Sequence, residues 1–192
     1  MRIVGILLAA GAGIRFGGGK LLARLPDGAM VGERACRNLV AATPEVIAVV
    51  RPGEDVLVQV LEAAGARVET CHEAAAGMGA SLAHGVRAAI ASAQADAVII
   101  ALADMPWIRS DTLAAVVAAL TRGLQAVVPL HQGKRGHPVG FGAHHFAALA
   151  MLRDDQGARD VIAFADSVHR IDVDDPGILR DVDTPADLDA AM

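Results

Sequence analysis

RIVGILLAAGAGIRFGGGKLL, Arg2–Leu22, sets an apolar run (Ile3–Leu8) directly against a glycine-rich turn that holds Arg15 and Lys20. A run that is apolar without alternation is what a strand buried on both faces requires, and such strands belong to parallel sheets covered by helices. Glycine beyond its end lets the backbone turn sharply and bring N–H groups against a ligand with no Cβ in the way. Arg15 and Lys20 then supply charge for anionic oxygens. The stretch reads as a phosphate cradle for a nucleotide. The chain has two lysines, Lys20 and Lys134, against fifteen arginines. Where a planar guanidinium is the habitual cation, a compact and rotatable ammonium marks a place for a point charge.

Outward from that stretch, apolar runs alternate with helical patterns. Strands are expected at Ile3–Leu8, Val46–Val50, Arg67–Thr70, Ala97–Leu102, Gln125–Pro129, Val139–Phe141 and Val168–Val173. Helices are expected at Val31–Ala42, Asp55–Ala64, Ser81–Ser92, Asp111–Thr121, Ala143–Met151, Ala158–Phe164 and Pro185–Ala191. This alternation predicts a three-layer, doubly wound α/β fold, Rossmann-like, with a mostly parallel sheet built by right-handed crossovers. A length of 192 residues fits a single domain, 1–192. Ligands in such folds collect at the carboxyl ends of the strands, where the strand order reverses. Three loops follow apolar runs and carry chemistry: Ala9–Lys20, Ala103–Pro106 and His131–Pro138.

Composition narrows the partners. Net charge is −5, spread as +2 over residues 1–150 and −7 over residues 151–192. Aromatics are 3% and Tyr is absent, so the basic stripe and stacking platform of a nucleic-acid binder are both missing. No apolar stretch reaches the length of a membrane span. Cys36 and Cys71 are too few for a disulfide framework, which makes a reducing cytoplasm the default. MRIVGILLAAGAG also has the outline of a signal peptide, and a buried first strand explains it equally well.

The glycine loop fails two common templates. A Walker A loop ending at Lys20 needs Gly at 14 and Ser or Thr at 21, where Ile14 and Leu21 stand. A dinucleotide fingerprint starting at Gly11 needs Gly at 16, where Phe16 stands. Asp104 ends the run AVIIALA and is suited either to hold Mg²⁺ or to close its turn through an Asx hydrogen bond. Asp183 precedes TPAD, where Thr184 caps and Pro185 opens a helical turn, so it is a metal ligand or a turn residue. Ser81 reads as the N-cap of its helix and as a nucleotide contact. GASLA lacks the second glycine of a nucleophile elbow, and no Ser-His-Asp order supports a hydrolase. Lys134 and His137, set among Gly133, Gly136 and Pro138, read as a loop closing on an anion or as a solvated hairpin tip.

The pattern LAAG-x-x-x-R-x-G-x-x-K resembles the signature of the molybdenum-cofactor nucleotidyltransferases, within the sugar-nucleotide-pyrophosphorylase-like superfamily. GMGASL (77–82), LADMP (102–106), DDQGAR (154–159), GKRGHPV (133–139) and DVDTPADL (181–188) resemble further family segments. LAAG resembles the cytidylyltransferase branch rather than the LAGG of the guanylyltransferase branch. The chain departs from the family pattern at Gly13, Phe16 and Ala103, where Ser, Met and Gly are frequent. The resemblance implies a nucleotide-diphospho-sugar-transferase type of fold and a Mg²⁺-dependent transfer of CMP from CTP to the terminal phosphate of molybdopterin cofactor, releasing pyrophosphate. It implies Arg15, Lys20 and Asp104 as catalytic residues, Asp104 and Asp183 as metal ligands, and Leu8, Ala9, Ala10, Gly11, Gly79, Ser81, Lys134 and His137 as substrate contacts. A transient molybdoenzyme or chaperone partner follows from it as well. Rival readings are GTP as donor, another phosphorylated acceptor, and a cofactor-binding carrier without turnover.

Overall fold

The computed structural model describes residues 1–189. Its strands are β1 (Ile3–Leu8), β2 (Glu45–Val50), β3 (Arg67–Thr70), β4 (Ala97–Leu102), β5 (Ala126–His131), β6 (Lys134–Arg135), β7 (Val139–Gly142) and β8 (His169–Asp172). Its helices are α1 (Val31–Ala42), α2 (Asp55–Ala63), α3 (Met78–Ala93), α4 (Ser110–Thr121), α5 (Phe146–Ala150) and α6 (Ala158–Ala163). All strands join one sheet in the order β3-β2-β1-β4-β7-β5-β6, with β8 on β5. Strands β1 to β4 are mutually parallel. Strand β7 is antiparallel to both β4 and β5, so β5 runs with β4 again, and β8 runs parallel to β5. This is the mostly parallel α/β sheet expected from the alternating pattern.

Both faces of the sheet are apolar because both are covered. In β1, Ile3 and Leu7 face the core under α1, α2 and α4, whereas Val4 and Ile6 face the core under α3, α5 and α6. Ala97, Ile99 and Ala101 of β4 divide from Val98 and Ile100 in the same way. Helix α3 lies close on β1 because Gly85 offers no Cβ, which would stand 2.8 Å from Ile6 Cγ2.

Three element assignments need correction, and one strand direction that periodicity leaves open is fixed by the pairing. The strand at Val139 runs antiparallel, because β5, β6 and β7 form a hairpin whose return arm the chain inserts beside β4. The register with β5 shifts between Arg135 and Gly140, and the residues that carry the shift include Gly136, His137 and Pro138. Ala143–Met151 is not one helix but a 3₁₀ turn, Ala143–His145, followed by α5. The edge-on packing of His145 against Phe141, 5.5 Å between ring centres, holds that turn against the sheet. Helix α3 begins at Met78, with Gly77 at the capping position, so Ser81 lies buried in the first turn rather than capping it. The final helix shrinks to a 3₁₀ turn, Pro185–Leu188, and residues 190 and 191 lie outside the described residues. Among the described residues no helix is long and apolar enough to cross a membrane.

The carboxyl ends of β1 to β4 open on one edge, and the strand order reverses between β1 and β4. The chain after β8 is brought back across that edge. Asp175 is buried and accepts from Arg109 N at 2.9 Å, Thr112 Oγ1 at 2.7 Å and Gly177 N at 2.9 Å. Gly177 then rests on Trp107, whose carbonyl oxygen would collide with a Cβ there. Arg180 stacks over the Trp107 ring, 4.5 Å from its centre. Val182 N finally donates to the carbonyl of Asp104 at 2.9 Å. Those contacts set Asp181 and Asp183 beside the end of β4. Asp175→Ala strips one acceptor from three donors, and urea unfolding is expected to show a loss of about 3 kcal/mol. Asp175→Asn, which keeps one carbonyl acceptor, loses less.

Candidate active site

At the end of β1 the chain enters a loop in which Gly17, Gly18 and Gly19 all hold positive φ (88°, 94° and 65°). That run of left-handed backbone is open only to glycine without strain. It ends in a short 3₁₀ turn, Lys20–Leu22, anchored by buried Leu21. Lys20 is thereby turned inward. Its Nζ donates to Asp104 Oδ2 at 2.8 Å and to Asp183 Oδ1 at 3.4 Å. Arg15 Nη1 donates to Asp183 Oδ2 at 2.6 Å. The Lys20 side chain is 11% exposed and that of Arg15 79%, so solvent screens the arginine pair and much less the lysine pair.

Burial works to lower the Lys20 pKa, but the hydrogen bonds and charges of Asp104 and Asp183 outweigh it and the net shift is upward. Asp181 is shifted upward as well: burial, then the charges of Asp183 and Asp104, hold its proton more tightly than in a free carboxyl. Carboxylate oxygens of Asp104, Asp181 and Asp183 lie within 4.8 Å of one another. Asp104 Oδ1 is buried with no hydrogen-bond partner. An orphaned carboxylate oxygen is costly unless a cation faces it. An all-oxygen set of this kind fits a hard divalent ion such as Mg²⁺ or Mn²⁺.

Beside this cluster lies a cleft of about 690 Å³. Of the residues predicted from sequence, Leu8, Ala9, Ala10, Gly11, Lys20, Ser81 and Asp104 line it. A smaller cavity of about 160 Å³, lined by Arg135, His137 and Arg159, shares Leu8, Met78 and Leu102 with the cleft. His137 therefore faces the adjoining cavity rather than the main cleft. Its ring is desolvated, which lowers its pKa, and its Nδ1 is buried without a partner. Lys134 is exposed at the hairpin tip, among the residues of neither cavity. Gly79 serves packing, since a Cβ there would stand 2.6 Å from the carbonyl oxygens of Arg153 and Gln156. The same 153–156 loop delivers Asp155 to the cleft.

Sequence reasoning missed Arg51, His72 and Asp155 in the cleft and Asp181 in the carboxylate cluster. Arg51 and His72 stand just past the carboxyl ends of β2 and β3, and that position was their available signal. Asp181 was hidden in an acid-rich tail whose charges look alike until the backbone of Val182 is tied to Asp104.

Residues 5–171 match the family model described as a MobA-like NTP transferase domain. The purine catabolism protein PucB of Bacillus subtilis (strain 168) is 30% identical over 97% of this chain and 94% of its own length. The chain belongs to the MobA-like NTP transferase family and carries a nucleotidyltransferase domain. Among solved structures, the homologue of Mycobacterium tuberculosis Rv0371c from Mycobacterium sp. strain JC1 superposes with a TM-score of 0.79 at 25% identity, over 99% of this chain and 96% of that one. Rv0371c of Mycobacterium tuberculosis in complex with manganese shares the fold, with a TM-score of 0.71 at 20% identity over 90% and 89% of the two chains.

The lysine shift has a sign that can be measured. A cation whose folded-state pKa is raised contributes stability that is whole below the ordinary value of 10.5 and lost as pH rises through the higher folded value. Unfolding free energies at pH 9 and pH 11 are expected to show a fall in the wild type that is smaller in Lys20→Met. An equal fall in both would detach the alkaline loss from this pair.

Proposed function

We propose that this MobA-like transferase, acting as one domain, moves CMP from CTP to the terminal phosphate of molybdopterin cofactor and releases pyrophosphate. The observation that carries the reading is the ammonium of Lys20 at 2.8 Å from Asp104 on the wall of a cleft large enough for a nucleotide. The LAAG form of the first loop supports cytidine as the base. The adjoining cavity, with Arg135, Arg159 and His137, whose Nδ1 has no partner, supports a phosphorylated acceptor approaching from the side away from Arg51. Production in the cytoplasm and handover to a molybdoenzyme or its chaperone belong to the same reading.

The chemistry asks little of a general base. The acceptor phosphate is already anionic, so one of its oxygens attacks the α-phosphorus as the bond to the bridging oxygen opposite breaks and pyrophosphate departs. Catalysis then consists of positioning and charge neutralisation. Lys20 would turn from the carboxylates to the phosphate oxygens, a move its rotatable head permits, while Arg15 and the N–H groups of the loop grip the leaving pyrophosphate. Asp104 and Asp183, with Asp181 beside them, would hold Mg²⁺, which supplies charge neutralisation at the phosphate oxygens when bound. The manganese complex of the mycobacterial relative supports a divalent ion in this role. Leu8, Ala9, Ala10 and Gly11 would present backbone to base and ribose. Ser81, whose hydroxyl is engaged with Cys71, offers no support for a hydrolase.

Pyrophosphate release from CTP with molybdopterin cofactor is the direct test, and it separates an enzyme from a binding-only carrier. Calorimetric titration with Mg²⁺ present is expected to show tighter binding of CTP than of GTP, and preference for GTP would overturn the donor. Asp104→Ala and Lys20→Ala are each expected to lose about 10²–10³ in turnover, the scale of one lost charge-stabilising donor, while remaining folded by circular dichroism. A folded Asp104→Ala protein with near-normal turnover would remove Asp104 from the mechanism.

A further inference from the structure

The sequence places Glu69, Cys71 and Glu73 at two-residue spacing, the period of a strand face. Strand β3 carries the first, and the bond from Cys71 N to Val50 O at 2.8 Å extends the ladder to the second. Helix α3 lays His84 across the same side. Cys71 Sγ lies 3.8 Å from Glu73 Oε2, and His84 Nε2 lies 3.8 Å from Glu69 Oε2. The sulfur, one Glu73 oxygen and a ring nitrogen of His84 fall within 4.8 Å of one another.

From these positions we infer a second divalent-metal site, distinct from the aspartate cluster, in which Cys71, Glu73 and His84 bind a zinc-type ion. Zinc takes sulfur at about 2.3 Å and nitrogen or oxygen at about 2.0–2.2 Å, which puts tetrahedral ligands roughly 3.4 Å apart. The Cys71–Glu73 separation is already close to that, and the remaining closure falls to His84 and Glu73, the two less buried of the three. A mixed sulfur, nitrogen and oxygen set selects a borderline ion, whereas the all-oxygen set at Asp104 selects a hard one. Thiolate and carboxylate together balance a 2+ charge, and the hydroxyl of Ser81 is placed to donate to the sulfur. Glu69, which also faces Arg67 at 3.6 Å, stands on the side of His84 where it can orient the ring or complete the shell.

Burial raises the Cys71 pKa, and a thiol that becomes a thiolate ligand gives up its proton as the ion binds. The effect of the ion would be mechanical. His72 sits between two of the ligands, and Ala74 and Ala75 follow directly; all three line the main cleft. An ion shared by the 71–73 segment and α3 would brace that wall of the cleft. The assignment stands whatever donor or acceptor the transferase uses.

Metal-free full-length protein titrated with Co²⁺ alone tests it. One equivalent is expected to bind with a sulfur-to-cobalt charge-transfer band in the near ultraviolet, and Zn²⁺ is expected to displace it. The band should vanish in Cys71→Ser and persist in Asp104→Asn. His84→Gln and Glu73→Gln, at less buried positions, should each weaken Zn²⁺ binding by at least about tenfold, the lower end of what losing even an outer-shell partner costs. Those two variants keep the test decisive if Cys71→Ser disturbs packing. Absence of the band in the wild type, unchanged Zn²⁺ affinity in His84→Gln and Glu73→Gln, or loss of the band in Asp104→Asn would each overturn the assignment.

Discussion

Three carboxylates drawn within 4.8 Å of one another require a positive charge among them, and that requirement organises the active edge of this protein. Like charges at such a distance repel strongly in a partly desolvated setting unless something neutralises them. The neutralising group is Lys20, delivered by a loop of left-handed glycines and held 2.8 Å from Asp104. The two halves of the site come from opposite ends of the chain. The loop fixes residue 20, and the path through Asp175, Gly177 and Val182 fixes residues 181 and 183.

The sheet explains why both halves arrive at the same place. Strands β1 and β4 are neighbours, and the order reverses between them, so the loops at their carboxyl ends diverge and leave a crevice. Leu8 and Leu102 occupy equivalent positions in that pair and line both the main cleft and the adjoining cavity. A ligand spanning the two cavities would pass over the ends of β1 and β4, where Asp104 stands.

Much of this was legible in the sequence, for reasons that are physical. Unbroken apolar runs marked β1, β2 and β4 because burial on both faces leaves no room for alternation. The scarcity of lysine pointed to Lys20 and equally to Lys134, and only the first lies in a cleft, since glycine flanks a solvated hairpin tip as readily as a ligand loop. The antiparallel β7 was not readable, because periodicity reports that a segment is a strand and carries nothing about its direction. Asp175 was equally opaque: its three donors lie on a neighbouring turn and on α4, more than sixty residues away for two of them. Gly79 has a packing role that the sequence did not announce. A family-like glycine beside a ligand loop was read as a contact, while its missing Cβ serves the seat of the 153–156 loop.

On the proposed reading, Lys20 and a divalent ion would compete for the same oxygens, and that competition would give the site an order of events. With Lys20 on Asp104 and Asp183, an ion approaching the free protein meets two partly satisfied carboxylates and one unpartnered oxygen, Asp104 Oδ1. A polyphosphate would change the balance, because it would offer the ammonium new anionic partners while adding negative charge for an ion to neutralise. Lysine suits that exchange and arginine would not: a point charge on a flexible stem can leave one carboxylate for a phosphate without breaking a bidentate fork. On the proposed reading, the Lys20 ammonium would hold the place of the metal until a nucleotide binds.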